Sequence, residues 1–290
     1  MITANTIIGV VAYIVLAPFI GGLLAGIDRK ITARMQGRFG PPILQPFYDF
    51  LKLMEKEPIT VNKSQDFNVM CFLIFIIITG CFFFGGGDLL LFIFTLTLAS
   101  VFLVMAAYSS NSPYAQAGAQ RELLQIMAYE PMTLLVAIGF YAVYGSFNVR
   151  DILASPTMAI GFLPLVFLGY IFILTIKLRK SPFDLSMSHH AHQELVAGLK
   201  TEFSGKTLAV LEIGHWYENV FLLGLVFLFF AHAAGWSIVL GIVVSLLAYF
   251  LEILIDNSFA RMKWQFALKS AWIVALVGAL NLAVVFMIMY

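Results

Sequence analysis

Charge is what this chain has least of. Lys, Arg, Asp and Glu together make up 11% of its 290 residues, against about 25% in an ordinary soluble domain. That is too little to cover a water-facing surface, and a hydrophobic share of 61% with a mean hydropathy of +0.93 points to a bilayer. Cysteine is nearly absent. Cys71 and Cys81 sit in one apolar run, and on a helix that spacing separates them by roughly 15 Å, too far for a disulfide. No CxxC pair or Cys/His cluster is present, so no iron–sulfur cluster is expected in this chain. A net charge of +1 gives no reason to expect a nucleic-acid partner. Internal repeats of domain size, low-complexity tracts and Gly/Ser- or Pro-rich linkers are missing as well. Residues 1–290 therefore read as a single polytopic membrane domain. The first apolar run has no basic residue before it and no small-residue cleavage site, and is read as a retained helix rather than a signal peptide.

What the chain does have is long apolar runs. A span needs about 20 largely apolar residues, and eight runs qualify, at about 6–27, 67–84, 89–108, 130–147, 160–178, 219–235, 237–255 and 268–289. The short alternating strands of a membrane β-barrel are absent, and helices are the other way to satisfy backbone polar groups in lipid. The expected fold is an all-α integral membrane protein with eight transmembrane helices. Basic residues support the count. With eight spans, the loops 28–66, 109–129, 177–218 and 256–267, with the helix start after the last, lie on one side and hold sixteen of the seventeen Lys and Arg. Arg150 is the exception. By the positive-inside rule that side is cytoplasmic and both termini are outside.

The loops carry the chemistry. In the first, about 43–56, Phe47, Phe50, Leu51 and Met54 share one helical face, and Gln45, Asp49, Lys52 and Lys56 the other. This is an amphipathic helix suited to the membrane surface, approached through Gly37, Gly40, Pro41 and Pro42, and it offers a docking floor for a soluble partner. In the second, Glu130 precedes Pro131 and is expected to open the fourth span, either as a helix-start acid or as a proton-relay carboxylate. The third, 177–218, is the densest. It holds Asp184, Glu194, Glu202, Glu212 and Glu218 and four of the five histidines, His189, His190, His192 and His215. Glu194 and Glu202 would lie about 80° apart around a continuous helix, and Glu212 and His215 can share one helical face. Clustered carboxylates in low dielectric exchange protons near neutral pH. The histidine group lacks a second set of ligands at metal spacing, so it reads as a polar cap or proton-entry shuttle and no metal is assigned. Glu252 and Asp256, near the end of the seventh span, read as a solvated helix end with Asp256 in the loop. His232 reads as a hydrogen-bonded packing residue.

Three segments in order resemble the signature loops of one family. They are Asp28–Arg29–Lys30 through Arg34, Arg38, Gly40–Pro41 and Lys56–Glu57; Ser112–Pro113–Tyr114 through Gly118, Arg121–Glu122 and Tyr129–Glu130–Pro131; and Ser181–Pro182–Phe183–Asp184–Leu185 with Glu194–Leu195–Val196–Ala197–Gly198, Glu202–Phe203–Ser204–Gly205 and Glu218. The family is the membrane subunit at the heel of respiratory complex I and of energy-converting [NiFe] hydrogenases. The resemblance implies that Glu130, Glu194, Glu202 and Glu218 belong to an acidic ion path, that Arg121 and Asp184 lie near the redox-coupling cavity, and that Arg34 and Arg38 face the catalytic subunit. From the residues themselves, Glu212 joins the acid path, His189, His190, His192 and His215 the coupling loop, and Asp49 and Lys52 the docking floor. The run from Ser188 to Gly198, with Glu212 to Val220, is most similar to the ferredoxin-linked hydrogenase branch. The quinone-reducing complex I is the alternative. A stand-alone transporter would be expected to show repeated halves, which are not seen. For the hydrogenase branch the resemblance implies no cofactor in this chain. A [NiFe] centre and [4Fe-4S] clusters would sit in large and small partner subunits, with antiporter-like membrane subunits alongside and ferredoxin reaching the soluble arm, all at a prokaryotic plasma membrane.

Overall fold

The computed structural model describes residues 4–57, 59, 62–188 and 195–289. Its elements are helices: α1 (Ala4–Met35), α2 (Gln45–Glu55), α3 (Lys63–Phe84), α4 (Leu89–Tyr108), α5 (Pro113–Tyr144), α6 (Val149–Ala154), α7 (Pro164–Lys177), α8 (Gly205–Leu228), α9 (Trp236–Ser258) and α10 (Trp264–Met289), with single 3₁₀ turns at Ala159–Gly161 and Gly198–Lys200. Among the described residues no strand forms. Six helices (α1, α3, α4, α5, α9 and α10) are long and apolar enough to cross a membrane. The other two expected spans correspond to α7, apolar but only 14 residues long, and α8, 24 residues with charges inside it.

Local chemistry sets the ends. The Asn62 side chain accepts from the Ser64 amide at 3.1 Å and Asp88 from the Leu90 amide at 2.7 Å, each satisfying a first-turn donor. Pro113 and Pro164 begin α5 and α7, where a missing N–H costs nothing. The exterior is apolar: Ile8 is 64% exposed, Val239 65% and Leu280 67%. Those surfaces face lipid or neighbouring subunits rather than water.

Several expected boundaries move. α1 continues through Met35, so Asp28, Arg29, Lys30 and Arg34 stand on a helix rather than in a loop. The segment 113–129 is also helical. Glu130 therefore lies in the middle of α5 and opens no helix, which removes the helix-start reading; Pro131 is accommodated inside α5. The sixth expected span begins at Gly205 and ends at Leu228, not at 219–235, which places Glu212, His215 and Glu218 on α8. Glu202 precedes α8 in a turn, so the continuous helix that would carry Glu194 and Glu202 on neighbouring faces does not exist at Glu202. Glu194 itself, with His189, His190 and His192, lies outside the described residues.

Two close approaches hold the charged loops against the helices. A Cβ on Gly26 of α1 would lie 1.9 Å from the Ile43 carbonyl oxygen, and one on Gly118 of α5 would lie 2.3 Å from the Leu199 amide nitrogen. Both obstacles are backbone. Gly118→Ala is expected to lift the 195–200 turn off α5 and cost about 1–3 kcal/mol or more. Faster amide exchange at Leu199, whose N–H donates to the Ser186 carbonyl at 3.0 Å, would report it; unchanged exchange would contradict it.

Candidate functional site

α7 ends at Lys177, and the chain then turns sharply. Arg179 has φ +53°, the left-handed region that an L side chain enters at a cost of order 1–3 kcal/mol. The turn sends three cations in three directions. The Lys177 ammonium lies 3.5 Å from Glu218 Oε1 on α8, 3.5 Å from Ser100 Oγ on α4, and 4.0 Å over the Tyr129 ring on α5. The Arg179 guanidinium reaches Glu122 on α5 at 3.2 Å and Glu218 at 3.6 Å. The Lys180 ammonium pairs with Asp28 on α1 and, at 3.5 Å, with Asp256 on α9. One short run of sequence therefore ties together α1, α4, α5, α8 and α9. Lys177 and Glu218 are each 4% exposed at the side chain.

The loop that follows is buried from Phe183 to Ser188. The Ser186 hydroxyl donates to Glu122. Gln125 donates to the Phe183 carbonyl at 2.6 Å, and Arg261 donates to Ser188 Oγ at 2.8 Å. The returning strand of the loop is held by the Ala197 amide on the Ser188 carbonyl at 2.7 Å and by Tyr114, whose hydroxyl bonds the Val196 backbone. Lys200 on the adjoining turn reaches Glu212 at 3.7 Å.

Burial and pairing set the charge states outside the spans. Burial alone would lower the pKa of Arg179 and Lys180, but Glu122 and Glu218 around Arg179, and Asp28 and Asp256 around Lys180, overcome it and hold both cations firmly protonated. Burial pushes Lys200 down, with Glu212 and Asp184 only partly opposing it. Asp184 is the group that yields. Burial raises it to about 6 against the pull of Arg179 and Arg261, and among the described residues its Oδ1 has no hydrogen-bond partner. Its folded pKa lies above the unfolded value near 3.8. Its contribution to loop stability is therefore present below about pH 4 and is lost as pH rises through about 6. The 183–188 loop should exchange amide protons faster at pH 7.5 than at pH 5 after correction for intrinsic rates. Asp184→Asn, neutral at both, should abolish the difference. An unaltered pH dependence in that variant would refute the assignment.

The remaining sequence-predicted residues divide. Glu218 and Asp184 lie in the buried cluster. Glu130 is half-buried and accepts from the Thr97 hydroxyl at 3.1 Å, one turn of α4 before Ser100, which in turn accepts from Tyr129 at 3.2 Å. Glu202 is half-buried, and its carbonyl accepts from Gln65 at 3.1 Å. Glu212 pairs with Lys200, while His215 packs edge-on against Phe72 at 5.8 Å. Arg121 lies over the Trp264 ring at 5.3 Å. At the end of α1, Arg34 sits over the Phe39 ring at 5.1 Å, and just beyond it Arg38 donates to Gln36, both exposed. Asp49 bonds Arg29 at 2.6 Å and Gln45 at 2.9 Å, which together hold it below the usual carboxylate range although burial alone would raise it; Lys52 is exposed. The inner face of α2 is Phe47 and Phe50 against Trp216 of α8; Leu51 and Met54, expected on that face, are exposed.

The expectation of a solvated end at Glu252 and Asp256 is overturned. Asp256 is inside α9 and accepts from the Ser181 amide at 2.8 Å as well as pairing with Lys180. Glu252 is 0% exposed. Lys177, Arg179, Lys180, Glu122 and Asp28 do not stand out as site residues in the sequence. The signal was the Lys–Leu–Arg–Lys run directly after an apolar span, which reads as topology until the facing acids are known. His232 does pack, edge-on to Trp236 at 4.9 Å. Among the described residues no three His, Cys, Asp or Glu side chains converge as metal ligands.

An apolar cavity of about 630 Å³ runs between α1, α3, α6, α8 and α9 from Thr6, Gly86 and Arg150 to Leu24 and Ser245. Lys177, Arg179, Lys180 and the acids they pair with do not line it.

Residues 7–288 match the NADH dehydrogenase family. The chain belongs to that family. It is a complex I-like membrane protein, and the family's relatives cover most of its length. It is 30% identical to hydrogenase-4 component C of Escherichia coli, over 87% of each chain. It is 32% identical to a subunit of the NADH-quinone oxidoreductase of Geobacillus kaustophilus, over 77% of this chain and 72% of that one. Among solved structures it superposes on a chain of the membrane-bound sulfane sulfur reductase, an archaeal respiratory membrane complex, with a TM-score of 0.86 and 27% identity over 97% and 99% of the two chains. The all-helical fold and the recognition read from the three loop segments agree with these likenesses.

Proposed function

We propose that this chain is the membrane anchor and ion-coupling subunit of a ferredoxin-linked, energy-converting [NiFe] hydrogenase. The observation that carries the reading is the likeness to hydrogenase-4 component C over most of both chains, joined to the Ser188–Gly198 run of the sequence. The chain performs no redox step itself. It holds a soluble arm of [NiFe] large and iron–sulfur small subunits over the first loop, at Arg34, Arg38, Lys52 and the helix pinned by Asp49. Antiporter-like subunits continue the membrane arm. Eight spans with both termini outside a prokaryotic plasma membrane set the Lys177–Lys180 turn and the acids it pairs with toward the cytoplasmic side.

The chemistry rests on how the charges are joined. Glu130, Thr97, Ser100, Tyr129, Lys177, Glu218, Arg179, Glu122 and Ser186 form a nearly continuous polar string from mid-helix α5 to the buried loop. The helical turn between Thr97 and Ser100 is the step that no side-chain contact bridges. Glu202 and Glu212 border the loop, whose sequence also carries Glu194, His189, His190 and His192; the loop with Asp184, flanked by Arg121 on α5 and His215 on α8, is the element whose two positions both arms would bias. Charge displaced at the loop is felt at Glu130 because buried pairs are little screened.

The test is to purify the intact complex by a tag on this chain, measure nickel, and assay hydrogen, sulfide and quinol. Nickel with ferredoxin-driven hydrogen evolution is expected. Sulfide from sulfane sulfur would place the chain with its solved neighbour, and quinol formation without nickel would place it with the quinone reductases; either would overturn the hydrogenase assignment.

A further inference from the structure

Four of the carboxylates around the turn after α7 have charged partners. Glu218 has Lys177 and Arg179; Glu122 has Arg179 and Ser186; Asp28 and Asp256 share Lys180. Glu252 lies one helical turn before Asp256 on α9, is 0% exposed, and among the described residues neither of its oxygens has a hydrogen-bond partner. The Thr175 hydroxyl of α7 is its neighbour, but that hydroxyl bonds back to the Ile171 carbonyl at 3.5 Å. An ionised carboxylate left in that state would be strongly disfavoured, so the arrangement fits a neutral acid.

We propose that Glu252 is a further proton-holding group, exchanged against Asp256 by the position of Lys180; the proposal rests on the ion-coupling reading above. The site has two balanced arrangements. In the observed one, Lys180 sits between Asp28 and Asp256; the proposal assigns negative charge to those two carboxylates and the proton to Glu252. In the other, Lys180 swings inward to Glu252. The Glu252 O–H then gives its proton to the Asp256 carboxylate, which has lost its cation, and the number of protons and charges is unchanged. The Cβ atoms of residues four apart on a helix are about 5–6 Å apart, within reach through one bridging hydroxyl or water. The groups facing this pair are Tyr170 and Thr175 on α7, Asp28 on α1, Tyr249 on α9, and Lys180 and Asp184 in the loop. Lys180 is next to the left-handed Arg179, so a shift of the loop moves the one cation the two acids share. That links the loop to a carboxyl group inside the membrane helices without passing through the Glu218 string.

The experiment uses the intact complex in proteoliposomes, wild type against Glu252→Gln, reading ions moved per redox turnover and the infrared band of protonated carboxyl groups during turnover. The variant is expected to keep redox turnover, to move at least about fivefold fewer ions, and to lose one protonated-carboxyl band. Full coupling with every band retained would overturn the proposal. A wild-type complex that moves no ions would defeat the coupling reading, and loss of the band in Glu252→Gln would then still establish the proton-holding site. Should the variant not assemble, a hydrophobic carbodiimide, which attacks only protonated carboxyls, decides on the wild type: an adduct on the Glu252 peptide supports the site, and its absence at full labelling of other acids overturns it.

Discussion

Arg179→Ala is expected to unseat the charged loop, at a cost on the order of 3–5 kcal/mol. The guanidinium is the shared cation of Glu122 and Glu218, whose side chains are 5% and 4% exposed. Truncation leaves Glu122, among the described residues, with the Ser186 hydroxyl and no paired cation. Alanine no longer requires a guanidinium to be desolvated, which offsets part of the loss, but it relieves none of the left-handed strain at this position. Glycine tolerates that backbone, so Arg179→Gly separates the two effects: it should be less damaging than Arg179→Ala by about 1 kcal/mol, yet still far below wild type. Thermal dissociation of the soluble arm and protease sensitivity of 177–204 are the measurements. An Arg179→Ala complex as stable as wild type would show that these carboxylates are neutral and need no cation.

A second large effect belongs to the pair Lys177 and Glu218. Lys177→Met keeps much of the length of the side chain and removes the charge 3.5 Å from Glu218. Breaking one side of a buried pair costs about 3–5 kcal/mol, whereas replacing both sides is often close to neutral. Arg179 still touches Glu218 at 3.6 Å, so the single variant should fall at the lower end, near about 3 kcal/mol. Adding Glu218→Gln should restore at least about 1 kcal/mol, since neighbouring sites couple by about 0.5–3 kcal/mol. The midpoint of thermal unfolding in the assembled complex gives the comparison. A double variant less stable than either single one would mean that Lys177 and Glu218 do not act as a pair.

The apolar stretches were legible because the bilayer imposes length and hydropathy directly, and α3, α4, α9 and α10 begin and end within a few residues of expectation. The boundaries that moved are those where polar sequence is helical. α1 runs on through Asp28 to Met35, and α5 starts seventeen residues before the span expected from hydropathy, at Pro113 rather than residue 130, because hydropathy marks where lipid is and not where backbone hydrogen bonding stops. The acids of the site were visible as an excess of Asp and Glu between apolar runs. Their partners were not. Lys180 bonds Asp28, 152 residues earlier, and Asp256, 76 later, and no local spacing reports such pairings. The same basic residues support the positive-inside argument, and that role masks their pairing. Glu252 reads as solvated for a related reason: a carboxylate a few residues from a helix end is ordinarily at the surface, and it is the packing of α9 against α8, α1 and α7 that buries it.

If charge moves through Glu218, the direct measurement is the number of ions translocated per redox turnover by the intact complex in sealed proteoliposomes, for wild type and Glu218→Gln. The glutamine keeps the size of the side chain and leaves Lys177 and Arg179 in place but cannot exchange a proton. Continuing redox turnover is expected, with translocation reduced at least about tenfold, a barrier increase of about 1.4 kcal/mol or more. Translocation per turnover equal to wild type would contradict a coupling role for Glu218, and the buried charges would then be a structural clasp between the loop and its helices.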